Sequence, residues 1–237
     1  REVCHVSSSS HTSWPELPQM PGWPKGMGAH PNYAPSGCVL ADIDGDGDLE
    51  ILAGSTDGSF HVWSYEGIEL PGWPKAGLGV IQTEAAVGDM DGNGDPEILV
   101  PDRTGNLYAW NHDGTNVPGW PLSVGETGGL EAAVLFDLDG DGYLEVILGQ
   151  RLWTNGRVQV FRASGTTFPG WPQSLDYMCV ATPSVADVDG DSLYEICAVS
   201  YYSVYLWDQD GNPEPGWPVL NYYGGASYAQ PVICDLD

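Results

Sequence analysis

The stretch DIDGDGDLEIL, residues 42–52, is an acidic turn running straight into an apolar, strand-like segment. It returns as DMDGNGDPEIL at 89–99, DLDGDGYLEVIL at 137–148 and DVDGDSLYEIC at 187–197. The starts at 42, 89, 137 and 187 lie 47, 48 and 50 residues apart, a period near 48. Self-similarity at such a period means a repeat architecture, in which no unit can bury its faces alone and neighbours supply the cover. The remainder of each unit keeps the same register. An alternating segment ends in an aromatic (GSFHVW to Trp63, GNLYAW to Trp110, GRVQVF to Phe161, SVYLW to Trp207), and PGWP then begins at 71, 118, 169 and 215, with a further copy at 21.

Composition agrees with an all-β chain. Thirty-two Gly and 19 Pro break any helical periodicity every few residues. The 33 acidic residues face only 7 Lys and Arg, a formal charge of -26, which repels a phosphate backbone and excludes nucleic acid as a partner. Acidity of this degree often accompanies disorder, but 42% of the residues are hydrophobic, with 10 Trp and 12 Tyr, enough apolar surface to offset chain entropy. No apolar run reaches the roughly 18 residues of a membrane span, so no transmembrane segment is expected. Arg1 does not open a signal peptide, so any secretion signal is expected to have been removed.

The spacing within the acidic turn is that of a calcium loop. Ca²⁺ takes six to eight hard oxygen ligands, and Asp-x-Asp-x-Asp/Asn-Gly turns carboxylates from positions 1, 3 and 5 toward one point. Glycine at position 6 permits the turn. A backbone carbonyl at position 7 and a carboxylate at position 9 complete the set. The first site is then Asp42, Asp44, Asp46, Asp48 and Glu50, and the second Asp89, Asp91, Asn93, Asp95 and Glu97. The third is Asp137, Asp139, Asp141, Tyr143 and Glu145, and the fourth Asp187, Asp189, Asp191, Leu193 and Glu195, with Ser192 in place of the glycine. Carboxylates crowded this closely repel by about 1–4 kcal/mol per pair at 4 Å, so four such clusters require counter-charge. Four Ca²⁺ would move the net charge from -26 to -18, leaving the surface acidic. An EF-hand is excluded, because its loop runs to a Glu at position 12 between helices and these flanks read as strands.

The two ends of the chain fall into the same register. Glu2-Val3-Cys4-His5-Val6-Ser7 aligns with Glu195 to Ser200, and Trp14 follows Glu2 at the interval by which Trp207 follows Glu195. Asp235 and Asp237 occupy the first and third positions of a fifth loop, whose ninth position is Glu2.

These loops, each preceded by a small-residue strand such as EAAVGDMD (84–91) or ATPSVADVD (181–189), resemble the FG-GAP/VCBS repeats of integrin-alpha-like β-propellers. The chain departs from that family in its Glu at position 9, where Asp is frequent, and in lacking the Phe-Gly signature. The resemblance implies a single β-propeller domain over 1–237. Each repeat is then a four-stranded blade with its calcium loop between the first two strands, and PGWP forms the outer strand or its approach. The blades divide near Glu2–Pro24 plus Ala226–Asp237, then 25–74, 75–121, 122–172 and 173–225. Either five blades close by pairing of the chain ends, or the repeats belong to a larger ring of seven or eight. Across the fifth loop Cys4 and Cys234 would face each other, a candidate disulfide; Cys38, Cys179 and Cys197 read as buried strand residues.

Little suggests catalysis. The five His are scattered without zinc spacing, and neither a Gly-x-Ser-x-Gly elbow nor a phosphate loop is present. Glu84, Glu126 and Glu131 lie outside the loops, near the ends of inner strands, where the resemblance implies a central channel, and are the carboxylates to test for an activity. PGWP invites a sugar-stacking role for Trp, but a motif recurring in every repeat reads first as a packing staple between neighbours. The expected role is that of an extracellular, calcium-stabilised binding or adhesion module for a glycan or protein. A structural subunit of a filament or surface array and a polysaccharide lyase or hydrolase are the alternatives.

Overall fold

The computed structural model describes residues 20–28, 36–125, 129–152, 154–220 and 230–234. Among them every named element is a β-strand, and the strands form four antiparallel sheets in chain order. The first sheet holds β1 (Cys38–Ala41), β2 (Glu50–Gly54) and β3 (Phe60–Trp63). The second holds β4 (Ala86–Gly88), β5 (Glu97–Pro101), β6 (Asn106–Asn111) and β7 (Leu122–Ser123). The third holds β8 (Val134–Phe136), β9 (Glu145–Gln150), β10 (Arg157–Phe161) and β11 (Gln173–Ser174). The fourth holds β12 (Ser184–Ala186), β13 (Glu195–Val199), β14 (Ser203–Trp207) and β15 (Val219–Leu220).

Each acidic loop joins the first strand of its sheet to the second. The fourth strand follows PGWP rather than containing it, so the tetrapeptide is the approach to that strand; in the first sheet the strand shrinks to one bridge, Phe60 to Lys75.

Sequence period explains where the core lies. In β5 every residue is buried, and its side chains alternate in direction: Ile98 and Val100 pack with Leu52 and Val62 of the first sheet, whereas Leu99 packs with Val146 and Leu148 of the third. Ile147 on β9 turns the other way, against Ile196 and Ala198 of the fourth sheet. A sheet covered on both faces needs no polar face, hence the unbroken EILV and EVIL runs. The core is therefore a series of apolar layers between successive sheets.

PGWP locks those layers. The indoles of Trp23, Trp73, Trp120 and Trp171 donate to the carbonyls of Tyr65, His112, Ala163 and Gln209, each in the next repeat, at 2.8, 3.4, 2.8 and 3.0 Å. The glycine of the motif passes so close to that repeat that a Cβ at Gly72, Gly119 or Gly170 would collide with the carbonyl of Asp113, Ser164 or Asp210. Trp73, Trp120 and Trp171 are buried, which rules them out as an exposed stacking platform.

One expectation about cysteine needs correction. Cys179 and Cys197 are buried in strand or bridge positions, but Cys38 is exposed. It opens β1, whose burial alternates between exposed and intermediate, so an apolar strand pattern did not guarantee cover on that edge. The Cys4–Cys234 pairing depends on Cys4, and the fifth loop on Asp235, Asp237 and Glu2, all outside the described residues.

Candidate metal centres

Each acidic loop is drawn inward by its own backbone N–H groups. The position-1 carboxylate accepts across the turn: Asp42 from Gly45 and Gly47, Asp89 from Asn93 and Gly94, Asp137 from Gly142, and Asp187 from Gly190 and Ser192, at 2.7–3.1 Å. Position 3 (Asp44, Asp91, Asp139, Asp189) accepts from the N–H of position 5 at 3.1–3.3 Å. Position 5 (Asp46, Asn93, Asp141, Asp191) in turn accepts from the N–H of Asp48, Asp95, Tyr143 and Leu193 at 2.7–2.9 Å. Two residues per loop take the left-handed conformation: positions 4 and 6 are Gly45 and Gly47, Gly92 and Gly94, Gly140 and Gly142, then Gly190 and Ser192. Sequence reasoning required glycine at position 6; the demand at position 4 was equally present in the repeated D-G and went unread.

Position 9 is the buried end of the loop. Glu50, Glu97, Glu145 and Glu195 are at most 3% exposed, and each Oε2 accepts from the N–H of position 2: Ile43, Met90, Leu138 and Val188, at 3.0, 2.7, 2.9 and 2.6 Å. Burial, aided by the neighbouring aspartates, raises all four glutamates above the ordinary carboxyl range, and Glu145 is pushed up to about 7.

Ligand oxygens of positions 1, 3 and 9 converge within 4.8 Å in every loop: Asp42, Asp44 and Glu50; Asp89, Asp91 and Glu97; Asp137, Asp139 and Glu145; Asp187, Asp189 and Glu195. Asp46, Asp141 and Asp191 at position 5 lie outside those tight groups. Within them Glu97 Oε1, Glu145 Oε1 and Asp137 Oδ1 are buried with no hydrogen-bond donor. A buried carboxylate oxygen without a donor is costly, and the donor set here, oxygens only and three of them ionisable, suits a hard divalent cation.

A second constellation lies at the opposite end of the sheets, where the first strands begin. A cleft of about 330 Å³ is lined by residues preceding β4, β8 and β12 and by the β5–β6 and β9–β10 turns, so three successive repeats contribute to it. Arg151 donates to Glu131 through Nε at 2.8 Å and Nη2 at 2.6 Å, and Arg103 donates to Gln82 at 2.6 Å. Burial raises Glu131 above the usual carboxyl range, against the pull of Arg151 and Arg103. Asp102 accepts from Gly79, Thr104, Asn106 and Tyr108 at 2.8–3.2 Å. Burial would raise Asp102, but those donors together hold it below the ordinary value. Glu84 and Glu131 thus share this cleft; Glu126 is outside the described residues. The two arginines were not singled out in the sequence, where nothing but their like placement in consecutive repeats marks them.

The FG-GAP-like repeat matches the chain over residues 42–100 and again over 89–148. The chain shares its fold with β-propeller proteins. The computationally designed Ika8 protein superimposes with a TM-score of 0.60 at 14% identity, covering 84% of this chain and 52% of that one. The designed Ika4 protein gives 0.53 at 12% identity, with 77% and 95% covered. BBS1N, solved in complex with ARL6DN, gives 0.55 at 11% identity, with 77% and 53% covered. No curated protein sequence matches the chain.

Proposed function

We propose that this chain of FG-GAP-like repeats is an extracellular, calcium-stabilised β-propeller that acts as a non-catalytic binding module for a glycan or protein. The observation that carries the metal reading is the set of buried carboxylate oxygens without donors, Glu97 Oε1, Glu145 Oε1 and Asp137 Oδ1, inside converging acidic groups. Calcium held by positions 1, 3 and 9 would supply the counter-charge, and the loop carboxylates would supply its oxygen ligands. The chain's own work is done beforehand: N–H groups aim positions 1, 3 and 5, and the β-strand fixes position 9. An extracellular setting fits, because modules there meet millimolar calcium and need only weak sites.

The cleft between repeats is where a ligand would sit. It is polar, it is walled by three repeats, and in a chain of charge -26 it gathers two arginines beside two glutamates, a mixture suited to the hydroxyl and carboxylate groups of a sugar. Both hydrogen bonds of Arg151 fall on a single oxygen of Glu131, an ion pair that supports the binding reading of this cleft. Among the described residues no helix is long and apolar enough to cross a membrane.

Melting with and without chelator tests the metal reading. At 100-fold excess over Kd each occupied site adds about 2.7 kcal/mol, and for a chain of this size about 2–4 °C accompanies each kcal/mol. A drop of well over ten degrees in EDTA, restored by calcium, is expected. An identical curve in EDTA removes the reading.

A further inference from the structure

The four loops match in their ligands but differ in what stands opposite the buried glutamate. Strand pairing sets Glu97 across from Asn111, and the same register, Ile51 to Trp63, Val146 to Phe161 and Ile196 to Trp207, sets Glu50, Glu145 and Glu195 across from Ser64, Arg162 and Asp208. The backbone at this place is alike in all four repeats, since Ser64, Asn111, Arg162 and Asp208 each donate N–H to the residue four places on at 2.8–2.9 Å. Only the side chain changes.

In the third repeat that side chain is a cation directed into the loop. Arg162 Nη1 lies 3.1 Å from Asp139 Oδ2, 3.5 Å from Asp141 Oδ2 and 3.8 Å from Glu145 Oε1. Two of those three residues belong to the convergent metal-ligand group, and Glu145 Oε1 is one of the orphaned oxygens. The guanidinium is also held from behind, 4.6 Å from the ring centroid of Phe168. The residue at that place before PGWP is Leu70 in the first repeat, Val117 in the second and Glu214 in the fourth, so the aromatic support and the arginine occur together and in one repeat only.

We propose that Arg162 is a built-in counter-ion of the third loop: it lets that loop keep its shape without metal and lowers the loop's affinity for calcium relative to the other three. This rests on the calcium reading of the loops. The physical reason is competition for the same oxygens. One positive charge shared among the carboxylates of Asp139, Asp141 and Glu145 reduces their mutual repulsion, and a divalent ion entering the loop must displace the guanidinium or tolerate a like charge a few ångströms away. The fourth loop is the opposite case, with Asp208 across from Glu195 and the charge of Glu214 adding to the field on it. Among the described residues no cation pairs with that loop, so it depends most on metal.

Calorimetric calcium titration of the chelated full chain, paired with melting in EDTA, tests this on wild type, Arg162→Ser and Ser64→Arg. Wild type is expected to show one described loop at least about tenfold weaker than the rest, a gap the Coulomb interaction readily spans. Arg162→Ser should bring that loop into line with the others and lower the melting temperature in EDTA, with the loss recovered at saturating calcium. Ser64→Arg should weaken a second loop by a similar factor, and it keeps the idea testable if Arg162→Ser folds poorly. Calcium binding with four equal loops, or with affinities that neither substitution changes, overturns the role of Arg162 alone. Absence of calcium binding by every variant overturns the metal reading and this inference with it.

Discussion

Ser192 takes the sixth position of the fourth loop at a φ of 73°, where the other loops have glycine. A non-glycine residue in the left-handed region costs about 1–2 kcal/mol, and glycine gives back about 0.5–1 kcal/mol through a freer unfolded chain. Ser192→Gly is therefore expected to stabilise by about 0.5–1 kcal/mol, seen as a higher urea midpoint at unchanged slope. Asp102 is the other residue with a clear sign. Its pKa is held below the ordinary 3.8, so it contributes stability that is present above that value and lost as pH falls through its folded pKa. Asp102→Asn turns a donor toward the Gly79, Asn106 or Thr104 groups that now donate to it, and should cost about 2–4 kcal/mol at pH 7. Denaturation curves of the two proteins should approach each other as pH falls below the ordinary 3.8 and through the lower folded pKa, where the wild-type carboxyl takes up its proton. A gap that stays constant with pH would mean that the charge of Asp102 contributes nothing.

At the scale of elements, the strands were legible because their second members are short apolar runs bounded by acidic turns, and the four loops because D-x-D-G recurs in register. The fourth strands were not legible. Leu122–Ser123, Gln173–Ser174 and Val219–Leu220 are two residues long and carry no periodic pattern, and only pairing with β6, β10 and β14 defines them. The staple reading of PGWP followed from recurrence alone, but its mechanism, an indole reaching a carbonyl about 40 residues on, is a tertiary fact. Trp120→Ala removes a buried side chain and the 2.8 Å bond to Ala163, and a loss of about 3–5 kcal/mol in denaturant titration is expected. Trp120→Phe keeps most of the packing and should lose about 1–2 kcal/mol. A Trp120→Ala variant within about 1 kcal/mol of wild type would show that the motif does not join the repeats.

For the whole molecule, the order of residues was enough for the class of fold, the period and the carboxylates of positions 1, 3 and 9 that meet in each loop. These are properties of one repeat, and a property that recurs four times is visible as spacing. The differences between repeats emerged from packing. It placed Arg103, Arg151, Glu84 and Glu131 around one cleft, left Cys38 exposed on β1, and set Arg162 on Phe168 over the third loop. It also left Asp46, Asp141 and Asp191 outside the tight ligand groups of positions 1, 3 and 9. The physical reason is range. Turn geometry and alternation act between residues a few places apart and leave a mark in the order of letters, whereas a cleft or a cross-strand charge joins residues some 20 places apart, through packing that no local pattern encodes.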